Sequence, residues 1–307
     1  MRLPPLKAWF RHALTRPRQQ GGEALAHTDA LPNLADAQGA QDASAVAPHW
    51  TASRLAIESQ LWGDGYLFPG GGAELARLAR PLGLSSASTV LLLGTGTGGP
   101  PASLVQDFGV WVVAHEADPV LCQHSADRIA RAPRAVAKRA TVAGFDSLAP
   151  MFRPRYCNHA IVMDTLRDAP LEPMLAAVTS ALKPHGQIVM VELVADQPLN
   201  PADPAIAPWL RLEGRGPALH SALAISRGLS RLGLDVRVEE DLTEHHIKLA
   251  LTGWHDMVLR LAANRPPADQ AAAVVMEAEM WTRRMRLLQS GKLRLIRWHA
   301  FAGAAAG

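Results

Sequence analysis

Val90-Leu91-Leu92-Leu93-Gly94-Thr95-Gly96-Thr97-Gly98-Gly99 is an apolar run of strand length that feeds straight into a glycine-rich turn. Pro100 and Pro101 follow, and proline is well tolerated in the first turn of a helix. A second apolar run, Val110 to Ala114, is closed by the acid Glu116. Strand, tight turn, helix, strand and acid, in that order, make a nucleotide-binding βαβ unit of the Rossmann type. Glycine lets the backbone turn sharply and approach a ligand without a Cβ clash. A carboxylate at the tip of the second strand can accept hydrogen bonds from both hydroxyls of a ribose. The stretch therefore points to an adenosine-containing cofactor without saying which one.

Outward from this unit, apolar and helical segments alternate. The pattern predicts strands at 89–93, 110–115, 138–142, 159–163 and 187–193, and helices at 100–107, 118–131 and 171–182. Upstream lie a short helix over 54–62, a glycine-rich loop over 63–72 and a helix over 73–82. Downstream, five prolines make 196–217 read as irregular. A helix over 220–232, a strand over 234–239, helical stretches over 245–263 and 268–290, and a last strand over 293–301 follow. Such alternation predicts an α/β fold. We expect a Rossmann-like, mostly parallel seven-stranded sheet with helices on both faces, an N-terminal tail and C-terminal helical additions.

At 307 residues the chain is long enough for one full domain with additions. A hydrophobic content of 48% and a charged content of 19% describe an ordinary globular protein. The net charge of +3 is too small to argue for nucleic acid. Two cysteines make no disulfide framework and fit a reducing compartment, so a cytoplasmic location is expected. No apolar run reaches the ~18 residues of a membrane span. Residues 1–22 are basic, with apolar residues near helical spacing. They read as a tail or as a short amphipathic helix in weak contact with a membrane surface. Residues 20–48 read as a linker, which puts the folded domain at 50–307.

Gly94, Gly96 and Gly99 also satisfy G-x-G-x-x-G, so a nicotinamide or flavin dinucleotide stays open on that pattern alone. Three features shift the balance. Gly144-Phe145-Asp146 follows the third strand, where an acid can bond an adenine amino group and an aromatic ring can lie beside it. Lys183-Pro184-His185-Gly186 stands before the fifth strand. The chain closes in strands rather than in a second dinucleotide half.

Together these residues resemble class I S-adenosylmethionine-dependent methyltransferases over about residues 55–195. Within that class the resemblance is nearest to the small-molecule group that includes phosphoethanolamine methyltransferases. Tyr66, Gly70 and Gly71 match a Y-x-x-x-G-G segment. Met163-Asp164-Thr165-Leu166 stands where the group carries R-D-A and an apolar residue, and Asp241-Leu242-Thr243 resembles its D-L-T segment. The resemblance implies S-adenosyl-L-methionine as cofactor and a small-molecule acceptor. It puts Tyr66, Gly70, Gly94, Thr95, Gly96, Gly98, Glu116, Phe145, Asp146 and Asp164 at the cofactor. Two departures stand out. Leu92 occupies a position where the group has an acid, and Asp168 one where the phosphoethanolamine enzymes have a histidine. A methyltransferase-like protein without turnover is therefore an alternative, and an NAD-dependent oxidoreductase a third.

Methyl transfer is a displacement at an activated carbon, so the protein mainly aligns the acceptor and excludes water. A base helps where the acceptor must lose a proton. Asp164, Asp168 and His245 are the candidates for catalytic roles, with Glu192 a further acid at the rim. Adjacent histidines, His245 and His246, point in different directions, and no metal site is expected. Trp62 and Tyr66 are the aromatic candidates for a cation-binding cage, whereas Trp254, Trp281 and Trp298 read as core. Arg283-Arg284-Met285-Arg286 reads as a solvated helix face or as a contact for an anionic acceptor or lipid headgroups.

Overall fold

The computed structural model describes residues 49–264 and 266–303. The tail and linker expected before residue 49 lie outside the described residues. Seven strands form one sheet: β1 (Thr89–Leu93), β2 (Trp111–Glu116), β3 (Ala140–Gly144), β4 (Cys157–Met163), β5 (Leu182–Val194), β6 (Leu234–Asp241) and β7 (Arg294–Ala302). Their order is β3-β2-β1-β4-β5-β7-β6, with β7 antiparallel to both neighbours and the others parallel. The strand order reverses between β1 and β4, and open α/β sheets bind ligands in the crevice beyond such a point.

The unbroken apolar run of β1 has a simple cause. Val90 and Leu92 face one helical layer while Leu91 and Leu93 face the other, and all four are buried. A parallel sheet covered on both sides needs apolar residues at every position rather than at alternate ones. One layer holds α1 (Ala52–Trp62), α2 (Gly71–Ala79), α3 (Gly99–Phe108), α4 (Pro119–Arg131) and the four-residue α5 (Arg134–Ala137). The opposite layer holds α6 (Leu171–Ala181) and α8 (Ala222–Arg231), through Met174, Leu175, Val178, Ile225 and Leu229.

Between β5 and β6 the expected irregular stretch contains a helix, α7 (Ala207–Glu213). Pro208 stands in its first turn, where the missing N–H costs nothing. Proline density had hidden it. The chain then adds α9 (Thr243–Ala263) and α10 (Ala268–Gln289), which pack on α1 and α7. Trp209, Trp254 and Trp281 are buried where these additions meet, and Trp62 packs edge-on against Trp281 at 5.0 Å between ring centroids. The additions thus form a wall beyond the carboxyl ends of the strands. No helix among the described residues is long and apolar enough to cross a membrane.

Candidate active site

At the switch point Gly94 leaves β1 with φ 87°, and a Cβ there would stand 2.4 Å from the carbonyl oxygen of Met163. Only glycine fits so close to the end of β4. The turn runs on through Thr95, whose amide and hydroxyl donate to Glu116 Oε2 at 2.9 and 3.2 Å. The amide of Asp118 donates to Glu116 Oε1 at 3.2 Å. Glu116 is thereby fixed at the tip of β2, and burial pushes its carboxyl above the ordinary range against the pull of these donors.

A second loop closes over this turn. The Gly65 carbonyl accepts from the amides of Thr97 and Gly99, both at 3.1 Å. Arg128 on α4 grips Asp64 with both terminal nitrogens, at 2.8 and 2.5 Å, and donates from Nε to the Thr97 carbonyl at 2.8 Å. The amides of Thr97 and Gly99 are therefore taken up within the protein, and Pro100 and Pro101 have no N–H to offer. A dinucleotide needs those amides free for its pyrophosphate.

Below this loop lies a cavity of about 320 Å³. Gly94, Gly96, Glu116, Phe145, Met163 and Asp164 line its sheet side, Leu67, Phe68 and Pro69 its roof, and Ala117 and Leu121 one flank. A carboxylate beside a glycine turn, flanked by apolar side chains and an aromatic ring, fits an adenosyl group. The far wall carries Trp50, Arg54, Glu58, His245, His246, Trp281 and Arg284, all from α1, α9, α10 and the residues before α1.

Charges on this wall are densely paired. Asp164 adopts a left-handed backbone conformation, φ 50°, and both its carboxylate oxygens accept from Arg215 Nη2, at 2.5 and 2.6 Å. Glu213 lies 3.4 Å from Arg215, 3.1 Å from Arg284 and 3.8 Å from Arg167, and it bonds Trp209 Nε1. Burial alone would raise Glu213, but Arg284, Arg215 and Arg167 pull it down to about 2. Arg54 pairs with Glu277 at 3.0 Å and bonds the ring of His49, whose pKa falls to about 4 by burial and then by the Arg54 and Arg167 charges. Glu58 faces Glu277, and burial followed by that carboxylate holds Glu58 protonated well above the ordinary range.

His245 Nε2 lies 2.9 Å from Glu74 Oε2, and Glu74 is clamped by two nitrogens of Arg77 at 2.9 and 2.7 Å. His246 is buried, and its ring is held neutral by burial and by Arg284.

Of the residues singled out in the sequence, Gly94, Gly96, Glu116, Phe145, Asp164 and His245 meet at the cavity, together with His246, Trp281 and Arg284. The others stand apart from it. Thr95 and Gly98 shape the turn, with Gly98 capping α3. The Tyr66 hydroxyl bonds Ser103 and its ring lies beneath Gly71 and Gly72, close to Gly70 in sequence. Asp146 is exposed and accepts from the Leu148 amide at 2.8 Å, while its neighbours Phe145 and Ser147 line the cavity. Asp168 is exposed and accepts from the Gly216 amide at 3.0 Å. Glu192 is no rim acid: it is buried and accepts from the amides of Thr165 and Leu166. Trp62 is absorbed into the core, whereas Trp50 and Trp281 line the cavity. Leu92 lies in the core and is not among the residues that line the cavity. Arg54, Arg167, Arg215, Glu58, Glu74, Glu213 and Glu277 escaped sequence reading. Arg284 alone carried a signal, its basic run.

No protein-family model and no curated protein matches this sequence. Solved structures do. Phosphoethanolamine N-methyltransferase 2 of Haemonchus contortus, with phosphomonomethylethanolamine and S-adenosylhomocysteine, matches with a TM-score of 0.68 at 16% identity. That match takes in 81% of this chain but only 57% of the other, so the likeness spans little more than half of the relative. A putative sarcosine dimethylglycine methyltransferase of Galdieria sulphuraria matches with a TM-score of 0.60 at 16% identity, over 76% and 85% of the two chains. The cyclase SpnF matches with a TM-score of 0.58 at 15% identity, over 76% and 82%. Strand order, the antiparallel β7 and these matches together give this chain the fold of the class I S-adenosylmethionine-dependent methyltransferases.

Proposed function

We propose that the protein is an S-adenosylmethionine-dependent methyltransferase acting on a small-molecule acceptor. The observation that carries this reading is Glu116, locked at the tip of β2 by Thr95 and Asp118 and facing a cavity that extends to a charged wall. Gly94, Gly96, Glu116 and Phe145 would hold the adenosyl group, with Thr95, Gly98, Tyr66 and Gly70 shaping the loops around it. When bound, the cofactor would supply a sulfonium-activated methyl carbon open to in-line attack, with S-adenosylhomocysteine as the leaving group. The chain's own part is alignment and dryness: the 63–70 loop roofs the cavity, and α9 and α10 close the far side. His245, oriented by Glu74, is placed to accept a proton from an acceptor that must lose one. Asp164 and Asp168 orient the turn after β4, through Arg215 and Gly216.

Binding without methyl transfer is the second reading. It is favoured by Leu92 in the core and by both Asp164 oxygens accepting from Arg215. The match to a cyclase shows that the fold also serves a protein of another name. The Thr97 and Gly99 amides, taken up by the Gly65 carbonyl, and the prolines that follow argue against NAD.

The test is thermal melting with S-adenosylhomocysteine, S-adenosylmethionine and NAD added separately. A ligand that binds only the folded state raises the melting point. Shifts with both adenosyl ligands and none with NAD are expected. A shift with NAD alone would overturn the proposal. Adenosyl binding with no label transferred from methyl-labelled cofactor to a metabolite extract would favour the second reading.

A further inference from the structure

The far wall of the cavity holds more cation than its carboxylates neutralise, because burial and the facing Glu277 hold Glu58 protonated and take it out of the count. Asp164 answers Arg215 with both oxygens, and Glu277 answers Arg54. Arg167 and Arg284 are left with one carboxylate, Glu213, between them, and Arg215 leans on it as well. Both arginines line the cavity. The Nε atoms of both are buried with no hydrogen-bond partner among the described residues. Leaving buried donors unmade costs free energy, and an excess buried charge costs more. Burial and the like charges of Arg215 and Arg284 even depress the Arg167 guanidinium. Beside this cationic corner the wall is apolar, with Phe68, Leu78, Met280 and Trp281.

Resting on the reading of this cavity as an acceptor pocket, we propose that the acceptor is an apolar organic acid, with its oxyanion held by Arg167 and Arg284 and its hydrocarbon body lying against Phe68, Met280 and Trp281. A guanidinium pair suits a carboxylate or a phosphate, because planar donors meet such oxygens in parallel hydrogen bonds. The corner repels an acceptor whose charge there is positive. An uncharged acceptor would leave the arginine donors and their charge unanswered.

The experiment is isothermal titration of the full chain, with and without S-adenosylhomocysteine, using octanoate, octyl phosphate, octanamide and inorganic phosphate. Octanoate or octyl phosphate is expected to bind at least about tenfold more tightly than octanamide and inorganic phosphate, the difference reading the charge-assisted hydrogen bonds. The better of the two acids identifies the headgroup. Arg167→Gln and Arg284→Gln should each lose about tenfold or more in acid affinity while still binding S-adenosylhomocysteine, whereas the exposed Arg286→Gln should lose nothing. Octanamide binding as well as octanoate would overturn the anion site. Inorganic phosphate binding as well as octyl phosphate would overturn the apolar body. The comparison among ligands needs no variant, so it decides even where a substitution unfolds the chain. Acid binding without any S-adenosylhomocysteine binding would support the anion site and remove the cofactor reading instead.

Discussion

Glu116, Glu192 and Glu213 are all buried acids, yet their surroundings assign them different work. Glu116 faces the cavity, so Glu116→Ala should weaken S-adenosylhomocysteine binding by about 1–3 kcal/mol, the worth of charge-assisted hydrogen bonds. Calorimetry reads this directly, and unchanged affinity would take Glu116 out of the site. Glu213 compensates three guanidiniums, and Glu213→Gln should destabilise the fold by about 3–5 kcal/mol, as expected when one partner of a buried pair is removed. Urea denaturation measures that loss. Glu192 titrates in the opposite sense. Burial, and then the Asp164 charge, raise its pKa to about 8 against the amides of Thr165 and Leu166. Between its ordinary pKa near 4.5 and 8, the folded state holds a proton that the unfolded state has released. Stability from this group is therefore full at low pH and is lost as pH rises toward 8. Glu192→Gln keeps an acceptor for both amides and should flatten the fall in urea stability between pH 5 and pH 8. An unchanged slope would show that Glu192 does not titrate there.

At the scale of elements, the decisive units are two loops stitched together. The turn after β1 and the loop over 63–70 share the Gly65 carbonyl and the Arg128 clamp. Gly94 and Gly83 both have positive φ, 87° and 60°, but a Cβ at Gly83 would meet nothing within 4 Å. Gly83→Ala should therefore cost only the conformational penalty, about 1 kcal/mol. Gly94→Ala adds a collision with the Met163 backbone and should cost about 1–3 kcal/mol more, with loss of adenosyl-ligand affinity. Comparing the two variants in urea denaturation isolates the close approach, and equal losses would remove it from the account. This turn was legible in sequence because glycine and proline have few structural uses. The α7 helix was not, because local composition argued against it and tertiary packing of Trp209 and Leu210 favours it.

Across the whole molecule, contacts near in sequence were readable and contacts far apart were not. Glycine turn, terminal acid and strand alternation are local patterns, and they determined the α/β class and the place of the proposed cofactor site. Leu92 was visible as a departure, but only the sheet shows that it faces a helical layer rather than the cavity. Asp168 and Asp146 had the right residue type and spacing, yet each caps a neighbouring backbone amide instead of facing the cavity. Sequence by itself determined which chain segments become strands and where a nucleotide-sized turn must lie, because hydrophobic period and glycine geometry are properties of adjacent residues. Tertiary structure alone decided the charged wall of the cavity. Arg167, Arg215 and Arg284 meet Glu213 from a loop after β4, a loop after α7 and the α10 helix, and only the packing of those elements brings their charges together.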